Sequence, residues 1–363
     1  MKILQIIDTL LVGGAEDVAI NLAIGFKESG HDSNILILTK EKSKKNIKKL
    51  KLAGIKILTL KSPRYSIASI LEVKRIIKDF QIDIIQTHRS GFYYFLSNLM
   101  TKKVFVNTAH GLYENETGPK GKLFYKIFLP FTSALVSVSE SVNKSIKKNH
   151  QVKNTQVINN GIKIFDRHAL NKPKLGNITK QLIGNTIFVN VANLLAVKNH
   201  ELLINSFALA KIKRPKIKLI IAGDGPLKEK IDSLILSLKL ENDVFLLGSR
   251  DDIQQILDIS DIFILSSKSE GLALCLLEAM ERSLPVVSTR ASGSNSEIIS
   301  DGKNGYLVDS NEKDFSEAMA RLDANKKLRK NMGRNGREIV EKKYSIDIMV
   351  KNYLRLYKKL LKK

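Results

Sequence analysis

The chain contains one cysteine, Cys275, so no disulfide forms within it, and that usage fits a reducing compartment. It contains no tryptophan, and only 6% of its 363 residues are aromatic. With no recognised nucleic-acid-binding motif either, stacking platforms for bases are scarce, and nucleic acid is not an expected partner. No apolar run reaches the ~20 residues that a spanning helix needs. The longest candidate, Ile127 to Val138, is short and broken by Pro130. The N-terminal MKILQIIDTLLVGGAEDVAI places Lys2 before an apolar run, but Asp8 interrupts it and no A-x-A cleavage site follows. It therefore reads as a first buried strand and not as a signal peptide. The G-x-G-x-x-G fingerprint of a dinucleotide site is missing, which argues against an NAD-dependent enzyme. No D-x-D stands where a divalent ion would be held, and there is no repeat of short period.

What is present suits a two-domain globular protein: 363 residues, 43% hydrophobic and 26% charged. The net charge is +24, with +16 in residues 1–175 and +8 in the remainder. A basic run extends from Lys42 to Lys51, and Lys358, Lys359, Lys362 and Lys363 crowd the C-terminus. By itself this excess favours an anionic partner: a phospholipid surface, nucleic acid or a phosphorylated substrate. The plainer alternative, lysines decorating solvated faces, stays open for each cluster.

Short β-branched runs alternate with segments of helical spacing. In the first half the runs are Ile3–Ile7, Ile35–Leu38, Ile55–Leu60, Ile82–Gln86, Val104–Thr108 and Leu135–Val138. Helical spacing marks Glu16–Ser29, Ile67–Phe80 and Ser139–Lys148 between them. Such alternation implies βαβ units and a parallel sheet covered on both faces. A polar stretch, Asn171 to Asn185, reads as a linker. Strands are then expected at Ile187–Ala192, Ile217–Ala222, Val244–Leu247, Ile262–Leu265, Pro285–Ser288 and Tyr306–Val308. Helices are expected after His200, Pro226, Asp251 and Leu272. The expected fold class is thus α/β, with two Rossmann-like domains, and the tail from Ser345 is a helix with an apolar stripe.

In such folds ligands bind in loops at the carboxyl ends of strands. Gly13-Gly14-Ala15-Glu16 opens a helix after the first strand, where paired glycines permit close backbone approach and the helix amino end favours anions. Ala222-Gly223-Asp224-Gly225-Pro226 follows a strand, and Pro226 suits a first helical position. The third loop, from Ser266 to Met280, says most. Glu270 stands just ahead of a helix expected over Leu272–Glu281, and Glu278 lies two turns in, within an otherwise apolar run. A buried carboxylate is costly unless it is paired or hydrogen-bonded. Sugar and ribose hydroxyls are suitable donors, and the free N–H groups of the helix start can hold a diphosphate.

Glu270 and Glu278 form an E-x7-E pattern, and SSKSEGLALCLLEAMERSLPVVSTRASGSNSEIISDGKNGYLV resembles the family-4 retaining glycosyltransferases. The resemblance extends over essentially the whole chain. Gly13-Gly14, Ala109-His110-Gly111, Asn160-Gly161-Ile162, Lys198 within NLLAVKNH, and Gly223-Asp224-Gly225-Pro226 match further motifs of that family in order. It implies the GT-B fold, two facing Rossmann-like domains with a deep interdomain cleft. The implied divisions are an acceptor-binding domain over 1–171, a nucleotide-sugar-binding domain over 172–345, and a helix over 346–363 packing back towards the first domain.

The resemblance also implies roles. Glu270 would contact donor-sugar hydroxyls, Glu278 the ribose and Lys198 the diphosphate. Backbone amides of Leu272, Ala273 and Leu274 would receive phosphate, with Gly13, Gly14 and Gly223 close to the donor, and His110 would stand beside the sugar or acceptor. The other histidines have no motif around them and read as core residues. Two departures stand out. Asn193 occupies a place where the family commonly has an arginine, which leaves Arg250 as a candidate substitute, and Ala291 to Glu297 lacks the usual paired glycines.

The implied reaction is retaining, metal-independent transfer of a hexose or N-acetylhexosamine from a nucleotide-sugar, expected to be a UDP-sugar, with no cofactor. The expected acceptor is a glycan on polyprenyl diphosphate, in surface polysaccharide synthesis. That places the protein in the cytoplasm, peripheral to the inner face of an anionic membrane. The competing reading is a non-catalytic glycan- or nucleotide-sugar-binding protein on the same fold.

Overall fold

The computed structural model describes residues 1–362 except 12, 117–118, 151–153, 166–172, 174, 177 and 291. The chain divides into two compact units, one of Met1–Gly161 with Ser345–Lys363, the other of Ile162–Tyr344. The expected boundary at 171 and most of the start of the expected linker lie outside the described residues. A short helix, Ile178–Leu182, occupies part of what the polar composition suggested was linker.

The first unit holds β1 (Lys2–Ile7), β2 (Asp32–Ile37), β3 (Lys56–Thr59), β4 (Ile84–His88), β5 (Val104–Ala109), β6 (Ala134–Ser137) and β7 (Thr155–Val157). They form one parallel sheet in the order β3-β2-β1-β4-β5-β6-β7. The β-branched runs become strands because both faces are covered: Ile3, Leu4, Ile6, Ile84, Ile85, Phe105 and Val106 are wholly buried. Helix starts are set locally. Ser66, Ser139 and Ser345 each accept a hydrogen bond from the amide three residues on, at 3.1, 3.3 and 3.3 Å.

The C-terminal helix Ile346–Leu361 belongs to this unit, and its apolar stripe is the face that packs. Tyr353 and Tyr357 are fully buried against Phe26 of the helix Gly14–Glu28, with ring centroids 6.5 and 5.5 Å from it. The Gly161 amide donates to the Met349 sulfur at 3.2 Å, so the Asn160-Gly161-Ile162 motif helps seat this helix.

The second unit holds β8 (Thr186–Val191), β9 (Ile217–Ala222), β10 (Val244–Leu246), β11 (Ile262–Leu265), β12 (Ser269–Glu270), β13 (Val286–Thr289), β14 (Ser292–Gly293) and β15 (Gly305–Val308). Its main sheet is parallel in the order β10-β9-β8-β11-β13-β15, with β12 and β14 as a separate pair. Strand order reverses between β1 and β4 in the first unit, and between β8 and β11 in the second. At such switch points crossovers leave in opposite directions and open a crevice at the carboxyl ends. Among the described residues no helix is long and apolar enough to cross a membrane.

Candidate functional site

In the second unit the candidate residues gather at the carboxyl ends of β8, β9 and β11. The chain leaving β8 runs through Asn193 to a 3-10 turn, Ala196–Lys198, and then the helix His200–Lys213. Asn199 takes the left-handed conformation at the junction, with φ 51°. Two bonds pin the Lys198 turn to the chain leaving β11: Ser266 Oγ donates to the Lys198 carbonyl at 2.8 Å, and the Lys268 amide to the Val197 carbonyl at 2.8 Å. That pinning brings Lys198 Nζ within 2.6 Å of Glu270 Oε1, both side chains being largely buried. Burial lowers the pKa of Lys198, but the Glu270 carboxylate and the Cys275 sulfur more than offset it, and the net shift is upward. Lys198 is held as a cation.

Glu270 is placed by its backbone. β12 pairs with β14 through Ser269–Ser292 and Glu270–Gly293, and the Ser294 amide donates to the Glu270 carbonyl at 3.3 Å. Gly293 has φ +124°, and a Cβ there would collide with that same carbonyl oxygen. Glycine is required on both counts. Of the stretch that lacks the usual paired glycines, Ala291 lies outside the described residues.

The helix after Glu270 starts later than expected, at Leu274 and not Leu272, with Ala273 as its cap. Leu272 and Ala273 therefore lie in the turn before the helix, and the amides of Leu276 and Leu277 are already spent on the Ala273 carbonyl at 3.1 and 3.3 Å. Cys275 sits within the electrostatic reach of Glu270, Lys198 and Glu278, and burial followed by the Glu270 charge pushes its thiol up to about 12. Glu278 is half-buried. The deeply buried carboxylate of this helix is instead Glu281, which the sequence pattern did not single out. It accepts from the Phe165 amide at 3.0 Å and pairs with Arg282 at 3.0 Å and Arg337 at 3.4 Å. Burial raises its pKa against the pull of that amide and those guanidinium groups. This cluster ties the segment around Phe165 to two helices.

The Gly223 turn buttresses the chain before Lys198. The Gly223 amide donates to the Gly248 carbonyl at 2.8 Å, the Leu194 amide to the Asp224 carbonyl at 3.0 Å, and the Leu227 amide to the Leu194 carbonyl at 3.2 Å. Pro226 does not occupy the first helical position; the helix runs Lys228–Ser237 with Leu227 as its cap. Asn193 is exposed. Arg250 is engaged by Asp252, Nε to Oδ1 at 2.8 Å and Nη2 to Oδ2 at 2.7 Å, and that bond raises its pKa. A substitute for the missing arginine would have to give up this fork.

In the first unit, Gly13 caps the helix Gly14–Glu28 in an extended conformation. The Glu16 carboxylate folds back towards Gly13 and accepts from Thr9 Oγ1 at 3.1 Å. The glycine loop thus carries its own buried carboxyl group beside the helix start.

His110 follows β5, and His88, dismissed on sequence as an ordinary core histidine, ends β4 beside it. His88 Nδ1 and His110 Nε2 are 2.7 Å apart. His88 Nε2 lies 2.7 Å from Gln5 Oε1, an acceptor only, so Nε2 carries the proton and Nδ1 receives one from His110. The line continues inward: Gln5 Nε2 donates to Gln86 Oε1 at 2.9 Å, and Gln86 Nε2 to Thr108 Oγ1 at 2.8 Å. Tyr357 also donates to Gln86 Oε1, and Thr108 Oγ1 lies 3.3 Å from Tyr353 Oη. His110 is therefore wired through His88 to the C-terminal helix. Burial lowers the His88 pKa to about 3; burial, then His88 and Arg89, take His110 well below its ordinary value. Both rings are neutral near pH 7. No sequence spacing links His88 to His110; adjacency of β4 and β5 does.

The profile described as Glycosyltransferase Family 4 matches residues 12–164, and that described as Glycosyl transferases group 1 matches residues 177–339. An uncharacterized glycosyltransferase of Methanocaldococcus jannaschii is 30% identical over 311 residues, 77% of this chain and 73% of that one. An Escherichia coli protein, UDP-Gal:alpha-D-GlcNAc-diphosphoundecaprenol alpha-1,3-galactosyltransferase, is 27% identical over 72% of this chain and 71% of its own. Among solved structures, Anabaena HepE in complex with UDP superimposes with a TM-score of 0.85 at 18% identity, covering 99% of this chain and 100% of that chain.

Proposed function

We propose, from the premise that this chain belongs to the family-4 glycosyltransferases and is an enzyme that transfers sugars, that it moves a hexose or N-acetylhexosamine from a UDP-sugar to a lipid-linked glycan with retention of configuration and without a metal. The second unit, of GT-B type, takes the donor, and the first takes the acceptor. The observation that carries the reading is the Lys198–Glu270 pair, a cation and a carboxylate held 2.6 Å apart at the carboxyl edge of the second sheet.

Breaking the anomeric bond builds positive charge on the sugar and negative charge on the departing diphosphate. Lys198 and the amino end of the helix Leu274–Glu281 meet the second of these. Glu270, released from Lys198 when the diphosphate arrives, accepts hydrogen bonds from sugar hydroxyls, and Glu278 accepts them from ribose. His110 serves the acceptor side as a neutral imidazole. The acceptor attacks on the face that the diphosphate leaves, and its proton passes to the departing phosphate.

The UDP donor and the diphosphoundecaprenol-linked acceptor are supported by what HepE and the Escherichia coli relative are named as binding or using. A lipid-linked acceptor brings the protein to the inner face of the cell membrane, where its net charge of +24 favours anionic lipid. Surface polysaccharide synthesis is the setting that such an acceptor implies.

The test is thermal stabilisation by a panel of UDP-, GDP- and ADP-sugars with and without EDTA, followed by NMR of the product's anomeric configuration. Selective stabilisation by a UDP-sugar, lost in Glu278→Ala, is expected. Stabilisation that EDTA abolishes, or an inverted product, overturns the corresponding part of the mechanism.

A further inference from the structure

The helix Pro119–Phe128 and the 3-10 turn Leu129–Phe131 after it have a docked side and an outer side. On the docked side Tyr125 and Leu129 are buried; Tyr125 Oη accepts from Asn107 Nδ2 at 3.0 Å, and Phe128 packs on Phe95 with centroids 5.8 Å apart. On the outer side Leu123 is 60% exposed, Ile127 49% and Phe131 71%. A four-residue spacing puts Leu123 and Ile127 on one helix face, and Phe131 is exposed in the 3-10 turn that follows the helix. Phe95 begins the adjoining helix Phe95–Leu99, whose end leaves Leu99 and Met100 exposed as well. Lysines neighbour these residues along the chain: Lys126 precedes Ile127 and is exposed, Lys122 precedes Leu123 and lies over the Tyr113 ring at 5.6 Å, and Lys102 and Lys103 follow Met100 and are exposed. Large apolar side chains collected on one surface with a polar rim mark an interaction site more often than a chance cluster.

We infer that this stripe, Leu123, Ile127 and Phe131 with its lysine rim, is the face that inserts into an anionic lipid bilayer. The inference rests on the membrane association proposed above and gives it a place distinct from the Lys42–Lys51 run. The helix Lys44–Leu52 in that run presents lysines, but its apolar side is turned inward: Leu50 is buried and Ile47 packs on the core, leaving Leu52 as its one exposed large hydrophobic residue. It attracts a membrane without entering it. The outer stripe at 123–131 offers both terms, apolar area to bury and cations for the headgroups. Charge also decides against a second copy of the chain as occupant. A symmetric pairing through this face would set two lysine rims against each other, whereas anionic headgroups neutralise each rim.

The absence of tryptophan supplies the experiment. Phe131→Trp places a sole tryptophan on the stripe, and Leu52→Trp places one on the polybasic helix. Each full-length variant is mixed with vesicles of phosphatidylglycerol and phosphatidylcholine, read by co-sedimentation and by emission, with and without brominated acyl chains. Emission from the Phe131→Trp variant is expected to shift to the blue and be quenched by bromine, while that of Leu52→Trp stays near its solvent value. Leu123→Ser with Ile127→Ser should weaken vesicle partition by about tenfold or more with the melting temperature little changed. Vesicle binding with no shift at position 131, or an equal shift at 52, overturns the assignment of the face and leaves membrane association standing. A blue shift on concentrating the protein without vesicles assigns the face to self-association and overturns it too. Absence of sedimentation at low salt, in the wild-type chain as well, refutes the membrane reading itself.

Discussion

Lys198 Nζ rests 2.6 Å from Glu270 Oε1, so the two charges proposed to serve opposite ends of a nucleotide-sugar neutralise each other when no donor is between them. Two largely desolvated groups of opposite sign are cheaper together than either alone. The arrangement stores the lysine as a cation, since the carboxylate outweighs the burial that would otherwise lower its pKa. In the mechanism proposed above, an incoming diphosphate would exchange one anionic partner of Lys198 for another and leave Glu270 able to accept from a sugar hydroxyl.

Lys198→Ala should therefore lower kcat/KM by about 10²–10³-fold, the scale on which loss of one preorganised charge on developing negative charge is felt. It should also lower stability by about 1–3 kcal/mol, because Glu270 is left largely buried without its cation. Lys198→Met combined with Glu270→Gln removes both charges and should recover most of the melting temperature and none of the activity. Steady-state kinetics and thermal melts on the two variants and the wild-type chain check this. A double variant that stays as unstable as Lys198→Ala would show that the pair is not what the stability depends on.

The support of Glu270 by Gly293 is open to a matched comparison. Gly293→Ala faces both a backbone at φ +124° and a collision with the Glu270 carbonyl, whereas Gly302→Ala faces φ +75° with open space. Gly302→Ala should cost about 1 kcal/mol and leave activity intact. Gly293→Ala should cost more in stability and, by moving Glu270, raise the donor KM and lower kcat together. Equal kinetic behaviour of the two variants would separate Gly293 from the site.

The strand pattern was readable because buried parallel strands are written as β-branched runs. Ile217–Ala222 and Ile262–Leu265 match to the residue. Three short strands were not readable. Thr155–Val157 is only partly buried and carries no apolar run, and β12 and β14 are two-residue ladders made by loop geometry. The helix Lys44–Leu52 read as a charge run because five of its nine residues are lysine, which hides the inward positions of Asn46 and Leu50. Local motifs flagged Lys198, Glu270 and His110, each set in a recognisable loop. His88, Gln5 and Gln86 gave no signal, because their partnership exists only across β1, β4 and β5. Glu281 carries no signal in the sequence, since linear spacing does not disclose which face of the helix meets Phe165, Arg282 and Arg337.

Buried neutral histidines set a pH dependence. His88 is depressed to about 3 and His200 to about 4, the latter by burial and then by Lys198. Unfolded, each returns to its ordinary value near 6.5 and binds a proton that the folded form refuses. Their contribution to stability is therefore complete above about pH 6.5, declines as pH falls below it, and is gone near the folded values. Melting temperature should fall between about pH 7 and pH 5, each such histidine adding a slope of up to about 1.4 kcal/mol per pH unit. His200→Gln should flatten the curve relative to the wild-type chain, whatever it does to stability at neutral pH. An unchanged slope would show that His200 is protonated within the fold.

The short contact between His88 and His110 makes the last prediction, and it separates positioning from mere packing. His88 Nε2 is committed to Gln5 Oε1, so its Nδ1 accepts from His110 Nε2 and fixes both the tautomer and the tilt of the outer ring. His88→Phe fills the space and removes the acceptor. His88→Asn retains an oxygen near the place of Nδ1. If His110 works as an oriented neutral imidazole, His88→Phe should lower kcat by about 10²-fold, a typical worth for a positioned acid–base group, with the donor KM nearly unchanged. His88→Asn should recover much of that loss at a similar or lower melting temperature. The pH–rate profile of His88→Phe should also shift, because the His110 pKa, held down first by burial and then by His88 and Arg89, loses one of those contributions. Activity that tracks melting temperature across both variants, with an unmoved pH profile, would reduce His88 to a packing residue. Nitrogen-15 shifts of the two imidazoles provide an independent readout: a protonated Nε2 on each ring is expected, and a protonated Nδ1 on His88 would reverse the direction of the whole line to Tyr357.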